Sequence, residues 1–306
     1  MRLRERVFPE FMTHTQANGR WSIVKPALQQ LPGDLSDIYV PDVGKVWLKH
    51  DWSAIEMRIQ AAIANDVPLL TTFANGWEPH TLHTCEVFGW EYPPDRKDPH
   101  KGAANEEWRA KYGWLGGDDL RRRFNKTFIF RLIYRGDPRF SGDIPGARQL
   151  GLDGKKLVEA ADRWLIPHSA IRKYWADTDE LVRTQGFTRT WIGRMRKYMS
   201  IGPERVIPAS VYREASNQRI QGAVADLKNI TMLELLHRCD WLTLAKEQHD
   251  AFWLECPVER EQETWPIYQE VVQRERVIEG VRMKFPAEFK RYLADGTVQK
   301  VAHVKS

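Results

Sequence analysis

An α+β fold, a small antiparallel sheet interrupted by a large helical insert, follows from three features of the 306-residue sequence. Short apolar, strand-like runs occur at Lys45–Leu48 and between Trp241 and Cys256. Between them lie segments with helix caps, helix stops and helical periodicity. Tight-turn residues near the C-terminus close the last strands into hairpins.

Residues 1–50 mix turns at Asn18-Gly19 and Pro32-Gly33 with extended pieces. A helix is predicted from Ser53 to about Ala64, because Ser53 and Glu56 form the S-x-x-E pattern whose side chains satisfy reciprocal backbone donors. A second helix is predicted over roughly His80–Phe88. The polar stretch WEYPPDRKDPHKGAANEEWRAKYGWLGG reads as an inserted loop with room for one helical turn. Asp118 or Asp119 caps the next helix, and Gly136 followed by Pro138 stops it. Further helices are predicted at about 155–184 and 209–237. Trp241–Ala245, a turn at KEQHD and Ala251–Cys256 read as a β-hairpin. A helix at 264–278 and a hairpin around Asp295-Gly296 complete the chain.

The length allows one or two domains with a full core, and 42% apolar residues with 13 Trp suit a globular protein. Net charge is +5, with basic residues clustered in RRRFNK, RTWIGRMRKY and the C-terminal tail. Clustered cations favour a polyanion, whose condensed counterions they release; a solvated basic surface is the plainer alternative. Three cysteines form no disulfide framework, no run is long and apolar enough to span a membrane, and MRLRERVFPEF lacks a signal peptide's apolar core. A cytoplasmic protein is expected.

The chemistry rests on Asp51 in VWLKHDWSAIEMR and Asp250 in AKEQHDAFWLE. Two carboxylates at the ends of adjacent strands can hold a pair of Mg²⁺ ions for phosphoryl transfer. Taken singly, each is an ordinary turn or cap residue. Arg122, Lys126, Phe130 and Tyr134 recur every four residues along one helical face about 18 Å long. Arg122 and Lys126 suit a triphosphate, and Lys126 suits a proton donor to departing pyrophosphate. Phe130 and Tyr134 suit stacking on sugar and base; an aromatic core stripe with a solvated basic end is the alternative.

In this order the segments resemble family A DNA polymerases, the class of bacterial polymerase I and many phage replicases. Asp51-Trp52-Ser53-Ala54-Ile55-Glu56-Met57-Arg58 resembles the family's D-Y-S-Q-I-E-L-R. Arg122, Lys126, Phe130 and Tyr134 resemble R-x-x-x-K-x-x-x-F/Y-x-x-x-Y-G, the KTFIF run being most like phage members. His249-Asp250-Ala251 resembles H-D-E. NGRWSIVKPALQQLP, GWEPHTLHTCEVFG and REASNQRIQGAVADL resemble lesser family motifs in sequence order.

The resemblance implies a palm at 1–64 and 209–306 and fingers at 65–208, with thumb and exonuclease outside the matched region. It implies template-directed addition of deoxynucleoside triphosphates to a primer–template, with two Mg²⁺ held by Asp51, Asp250 and the Trp52 carbonyl. Glu56 would exclude a ribose 2′-hydroxyl. Phe130 would discriminate against dideoxynucleotides, and His80 would touch the incoming triphosphate. Arg20, Gln29, Arg213, Asn217 and Gln221 would reach the minor groove, whose acceptors are common to all base pairs, and His249 would support the primer end. Low processivity is expected, with the thumb and exonuclease supplied by a separate polypeptide if the chain is not a fragment.

The sequence departs from the family at three places. Ala251 replaces a second carboxylate, with Glu255 keeping an acid on the following strand. Arg131 and Arg135 replace small residues in R-L-I-Y-R and are expected to contact template backbone. Ala27 replaces an Asn. A catalytically inactive, DNA-binding remnant is therefore the competing reading. His80, His83 and Cys85, with His100, form an H-x-x-H-x-C pattern without a second ligand pair, so surface histidines are expected rather than zinc ligands.

Overall fold

The computed structural model describes residues 10–13, 16, 18–25, 39–198 and 206–302. In order come β1 (Glu10–Met12), β2 (Ser22–Val24), β3 (Lys45–Trp52), α1 (Ile55–Ala64), α2 (Val67–Ala74), α3 (Pro79–Phe88), α4 (Glu106–Tyr112), α5 (Leu120–Ile133), α6 (Gly154–Leu165) and α7 (Ser169–Gln185). There follow β4 (Phe187–Arg189), β5 (Met195–Lys197), α8 (Ala209–Arg238), β6 (Thr243–Gln248), β7 (Ala251–Pro257), α9 (Glu261–Gln273), β8 (Arg276–Ile278), β9 (Val281–Met283), β10 (Ala287–Tyr292) and β11 (Val298–Val301). Two compact units result. Unit 1 draws on Met1–Glu56, Arg189–Arg196 and Gln218–Ser306, and unit 2 on Met57–Thr188 and Lys197–Asn217.

Unit 1 is built on an antiparallel sheet ordered β11-β10-β3-β7-β6. Strand alternation divides β3: Val46, Leu48, His50 and Trp52 are buried, whereas Asp51 is exposed. The buried face continues through Phe252, Leu254, Cys256 and Phe289, and Tyr268 of α9 packs edge-on against Phe289. His50 lies in this core, with its ring centroid 4.2 Å from Trp52 and 4.7 Å from Phe252, and Nδ1 3.0 Å from the Tyr268 hydroxyl. Burial drives its pKa down to about 3, so the ring is neutral at physiological pH.

Several sequence expectations needed adjustment here. Asp51 lies within β3 rather than after it. At the start of α1 the Ser53 N–H donates to the Pro286 carbonyl at 2.9 Å, and Glu56 pairs with Arg20. Ala54 adopts φ 51°, and α1 starts after it. The hairpin turn shrinks to His249-Asp250, since β6 extends to Gln248 and pairs it with Ala251. α9 ends at Gln273, and the last residues of the predicted helix form strand β8 of the β8–β9 hairpin.

Unit 2 is helical and richer than expected. Asp66 caps α2 by accepting from the Leu69 N–H, with Pro68 in the first turn; Asp followed closely by Pro was a legible start signal that the sequence reading passed over. Pro167 stands between α6 and α7, dividing the stretch predicted at 155–184. The inserted loop carries α4 and its own small core, where Trp108 and Trp114 pack with Cys85, flanked by Trp90 and Tyr112. Asp119, one of the two candidates, caps α5 through the Arg121 N–H.

Candidate active site

In unit 1 the register brings the two aspartates to one edge of the sheet. β3 pairs with β7 from Lys45↔Pro257 to Lys49↔Trp253, and the His50–Phe252 ring contact shows the strands still side by side. Continued two residues, the pairing sets Asp51 beside Ala251, the neighbour of Asp250. On its other side Asp51 pairs with Glu288. Asp51 is exposed, and Asp250 is 27% exposed at the hairpin turn. His249, also exposed, adopts φ 55° there, a left-handed conformation that costs a non-glycine residue about 1–2 kcal/mol.

A cation already occupies the site. Arg20 Nη2 donates to Asp250 Oδ1 at 2.7 Å and to Glu56 Oε1 at 3.0 Å. The Asn18-Gly19 turn presents it: Asn18 Oδ1 accepts from the Arg20 N–H at 3.1 Å, and Asn18 Nδ2 donates to Gln221 Oε1 at 3.1 Å. Arg194 clamps the turn, donating to the Asn18 and Gly222 carbonyls and to Asp226. Gly19 has φ 82°, and a Cβ there would come within 2.7 Å of the Arg194 guanidinium, so glycine is required. Trp52 is anchored by its indole N–H on the Val272 carbonyl at 3.0 Å. Glu255 is held on the strand face by Lys45 and by the Trp47 indole.

In unit 2 the stripe on α5 runs beside a buried stripe of Phe124, Asn125, Phe128, Ile129, Leu132 and Ile133. Lys126 is exposed, and Arg122, Phe130 and Tyr134 are half-buried, so the two aromatics are not core residues. Tyr134 is the C-cap of α5. Arg122 Nη2 pairs with Glu78 Oε1 at 3.0 Å. Burial raises the Glu78 pKa, but Arg122 and the Thr81 hydrogen bonds outweigh it and bring it to about 2. His80 is lowered to about 4, first by burial and further by Arg122 and Lys126 nearby, against the pull of Glu78. Glu78, His80, Arg122 and Lys126 thus share one electrostatic neighbourhood.

Arg131 pairs with Asp143 at 2.6 Å, and Arg135 pairs with Asp179 at 2.5 Å while its guanidinium sits 5.7 Å from the Trp175 ring. Arg213, Asn217 and Gln221 follow one another on α8, Arg213 exposed and the others half-buried. Gln29 lies outside the described residues.

The histidine expectation is corrected. His83 is 2% exposed rather than on the surface. It forms a buried group with Glu86 and His168 whose ligand atoms lie within 4.8 Å of one another. Their nitrogens already have protein partners: the Trp164 indole and Met57 sulfur for His83, and Asp66 and Glu86 for His168. Cys85 is buried against tryptophans, and burial pushes its thiol up to about 12. A second buried pair was not foreseen: Lys228 and Glu247, both 0% exposed.

The DNA polymerase family A model matches residues 1–292. The chain belongs to that family. DNA polymerase I of Caldicellulosiruptor bescii is 25% identical over 292 residues, covering 92% of this chain and 31% of that protein. The thermostable DNA polymerase I of Thermus filiformis is 28% identical over 278 residues, covering 88% of this chain and 30% of that one. The chain therefore spans about a third of the length of these family A relatives. Among solved structures, the POL domain of Pol1 from M. smegmatis, in complex with DNA primer-template and dNTP, matches with TM-score 0.75 and 20% identity over 95% of this chain and 48% of that one. That likeness is one of fold. No described helix is long and apolar enough to cross a membrane.

Proposed function

We infer that the chain is a template-directed DNA polymerase domain, with unit 1 as palm and unit 2 as fingers, adding deoxynucleotides to a primer 3′ end. Membership of the family supports the activity, and one observation supports the site assignment: β3 runs beside β7, so that Asp51 near the end of β3 and the Asp250 turn before β7 lie toward the same end of the sheet. Two carboxylates and the nearby Trp52 carbonyl are hard oxygen donors of the kind Mg²⁺ prefers. Bound there, a pair of Mg²⁺ ions would acidify the primer 3′-hydroxyl and neutralise charge on the leaving pyrophosphate.

The chain's own groups do the rest. Asp51 and Asp250 would hold the ions, with Arg20 exchanging Asp250 for the minor groove. Arg213, Asn217 and Gln221 read that groove's shape, and His249 supports the primer end. Glu56 leaves no room for a 2′-hydroxyl. Arg122 and His80 bind the triphosphate, Lys126 delivers a proton to the leaving group, and Phe130 and Tyr134 stack on the nucleotide.

Ala251, standing where the family carries an acid, and the Arg20–Asp250 pair favour the second reading, an inactive DNA-binding remnant. Primer extension with Mg²⁺ decides between them. The expected outcome is stepwise addition that falls to background in Asp51→Asn and in Asp250→Asn, with both variants folded. A wild-type chain that binds primer–template yet adds no nucleotide would establish the remnant reading.

A further inference from the structure

We propose that Lys228 and Glu247 are a positioning pair that fixes the Asp250 turn for divalent-ion binding, an inference resting on the polymerase reading above. Glu247 sits three residues before Asp250 on β6, paired with Phe252 across the hairpin. It forms an ion pair with Lys228 of α8, and both side chains are excluded from solvent. Lys228 Nζ also lies 5.7 Å from the Trp21 ring, beside Arg20 in sequence.

Three features point to positioning rather than stability. A buried ion pair contributes little net stability, because desolvation of both charges offsets their attraction; apolar pairs of similar volume often match or exceed it. The turn it anchors contains His249 at φ 55°, a strained conformation that persists only when its surroundings over-determine it. The pair also reaches the aspartate electrostatically: burial lowers the Lys228 pKa, and the carboxylates of Glu247 and then Asp250 push it back up. Arg20 pairs with Asp250 directly, and the buried Lys228 lies within electrostatic reach of the same carboxylate. When Arg20 leaves, Lys228 and Glu247 keep the turn in place.

The test uses Glu247→Gln, which keeps size and an acceptor for Lys228, and the apolar double variant Lys228→Met/Glu247→Leu. Mn²⁺ affinity is read from the free-ion EPR signal with the full chain bound to dideoxy-terminated primer–template and a deoxynucleoside triphosphate. The Mg²⁺ half-saturation of primer extension and thermal melting are measured alongside. The expected result is Mn²⁺ binding weakened about tenfold in both variants, the scale seen when groups supporting a metal ligand are removed, with melting within a few degrees of wild type in the apolar double variant and lower in Glu247→Gln, which leaves Lys228 buried without its counter-charge. Wild-type Mn²⁺ affinity in either folded variant would overturn the proposal and leave the polymerase reading standing. A wild-type chain that neither binds Mn²⁺ nor extends primers would refute that reading, and this inference with it.

Discussion

The acidic edge of the sheet and the basic face of α5 hold their charges in opposite ways. Around the Asp250 turn the cations meet acids within the unit: Arg20 bridges Glu56 and Asp250, Arg194 meets Asp226, and Lys228 meets Glu247 in the interior. On α5, Lys126 stands in solvent while Phe130 and Tyr134 remain half-open. On the proposed reading, a site for small, strongly charged ions needs closely placed ligands, which the sheet and the buried groups around the turn help to fix. A surface for a large, flexible triphosphate can keep its cations hydrated until the ligand arrives.

The difference can be broken by substitution. The largest expected effect is at Lys126: replacement by Ala lowers single-turnover primer extension about 10²–10⁴-fold, with the melting temperature unchanged because the side chain is solvated. A melting shift of several degrees would show that Lys126 belongs to a framework like that of the sheet edge.

A pH experiment sharpens the contrast through two buried histidines. His50 in unit 1 has a folded pKa near 3, below its unfolded value of about 6.5. The unfolded chain therefore binds the proton first, so sheet stability is full above pH 6.5 and falls as pH drops toward 3. His168 in unit 2 runs the other way. Burial lowers its pKa, but Asp66 and Glu86 outweigh burial and raise it to about 9, so its contribution is full below pH 6.5 and is lost as pH climbs through 9. Amide opening free energies from hydrogen exchange should therefore weaken in β3 and β7 on acidification and around α3 and α6 on alkalinisation. His168→Gln should flatten the second limb; an unchanged alkaline limb in that variant would remove His168 as its cause.

Smaller effects separate the two arginines that depart from the family pattern. Arg135 pairs with Asp179 at 21% and 31% side-chain exposure and also approaches Ser216, so Arg135→Ala should cost about 1–3 kcal/mol in denaturant titration. Arg131 pairs with Asp143, which is 68% exposed, so Arg131→Ala should cost about 0–1 kcal/mol. Because that partner is readily exchanged for a phosphate, Arg131→Ala should reduce the salt slope of template binding by about one. An unchanged slope would mark Arg131 as a surface ion pair only.

Much of this was legible in advance, and what was missed has specific causes. Helical periodicity placed Arg122, Lys126, Phe130 and Tyr134 on one flank of α5, and Gly136 with Pro138 marked its end. The bond from the Ser53 N–H to the Pro286 carbonyl, more than two hundred residues away, was beyond any local pattern. The tryptophan core of the insert was overlooked because charged and proline residues dominate that stretch, while its few large rings do the packing.

From its residues alone the chain determined the local rules: where helices start and stop, which strand positions alternate between core and solvent, and which cations share a helical face. These depend on neighbours within a few positions. Only the tertiary structure decided that Asp51 and Asp250 share a sheet edge, that Arg20 rests on one of them, and that Lys228 finds Glu247 in the interior. Such pairings join residues remote along the chain, and strand order and burial, which no local pattern encodes, select them.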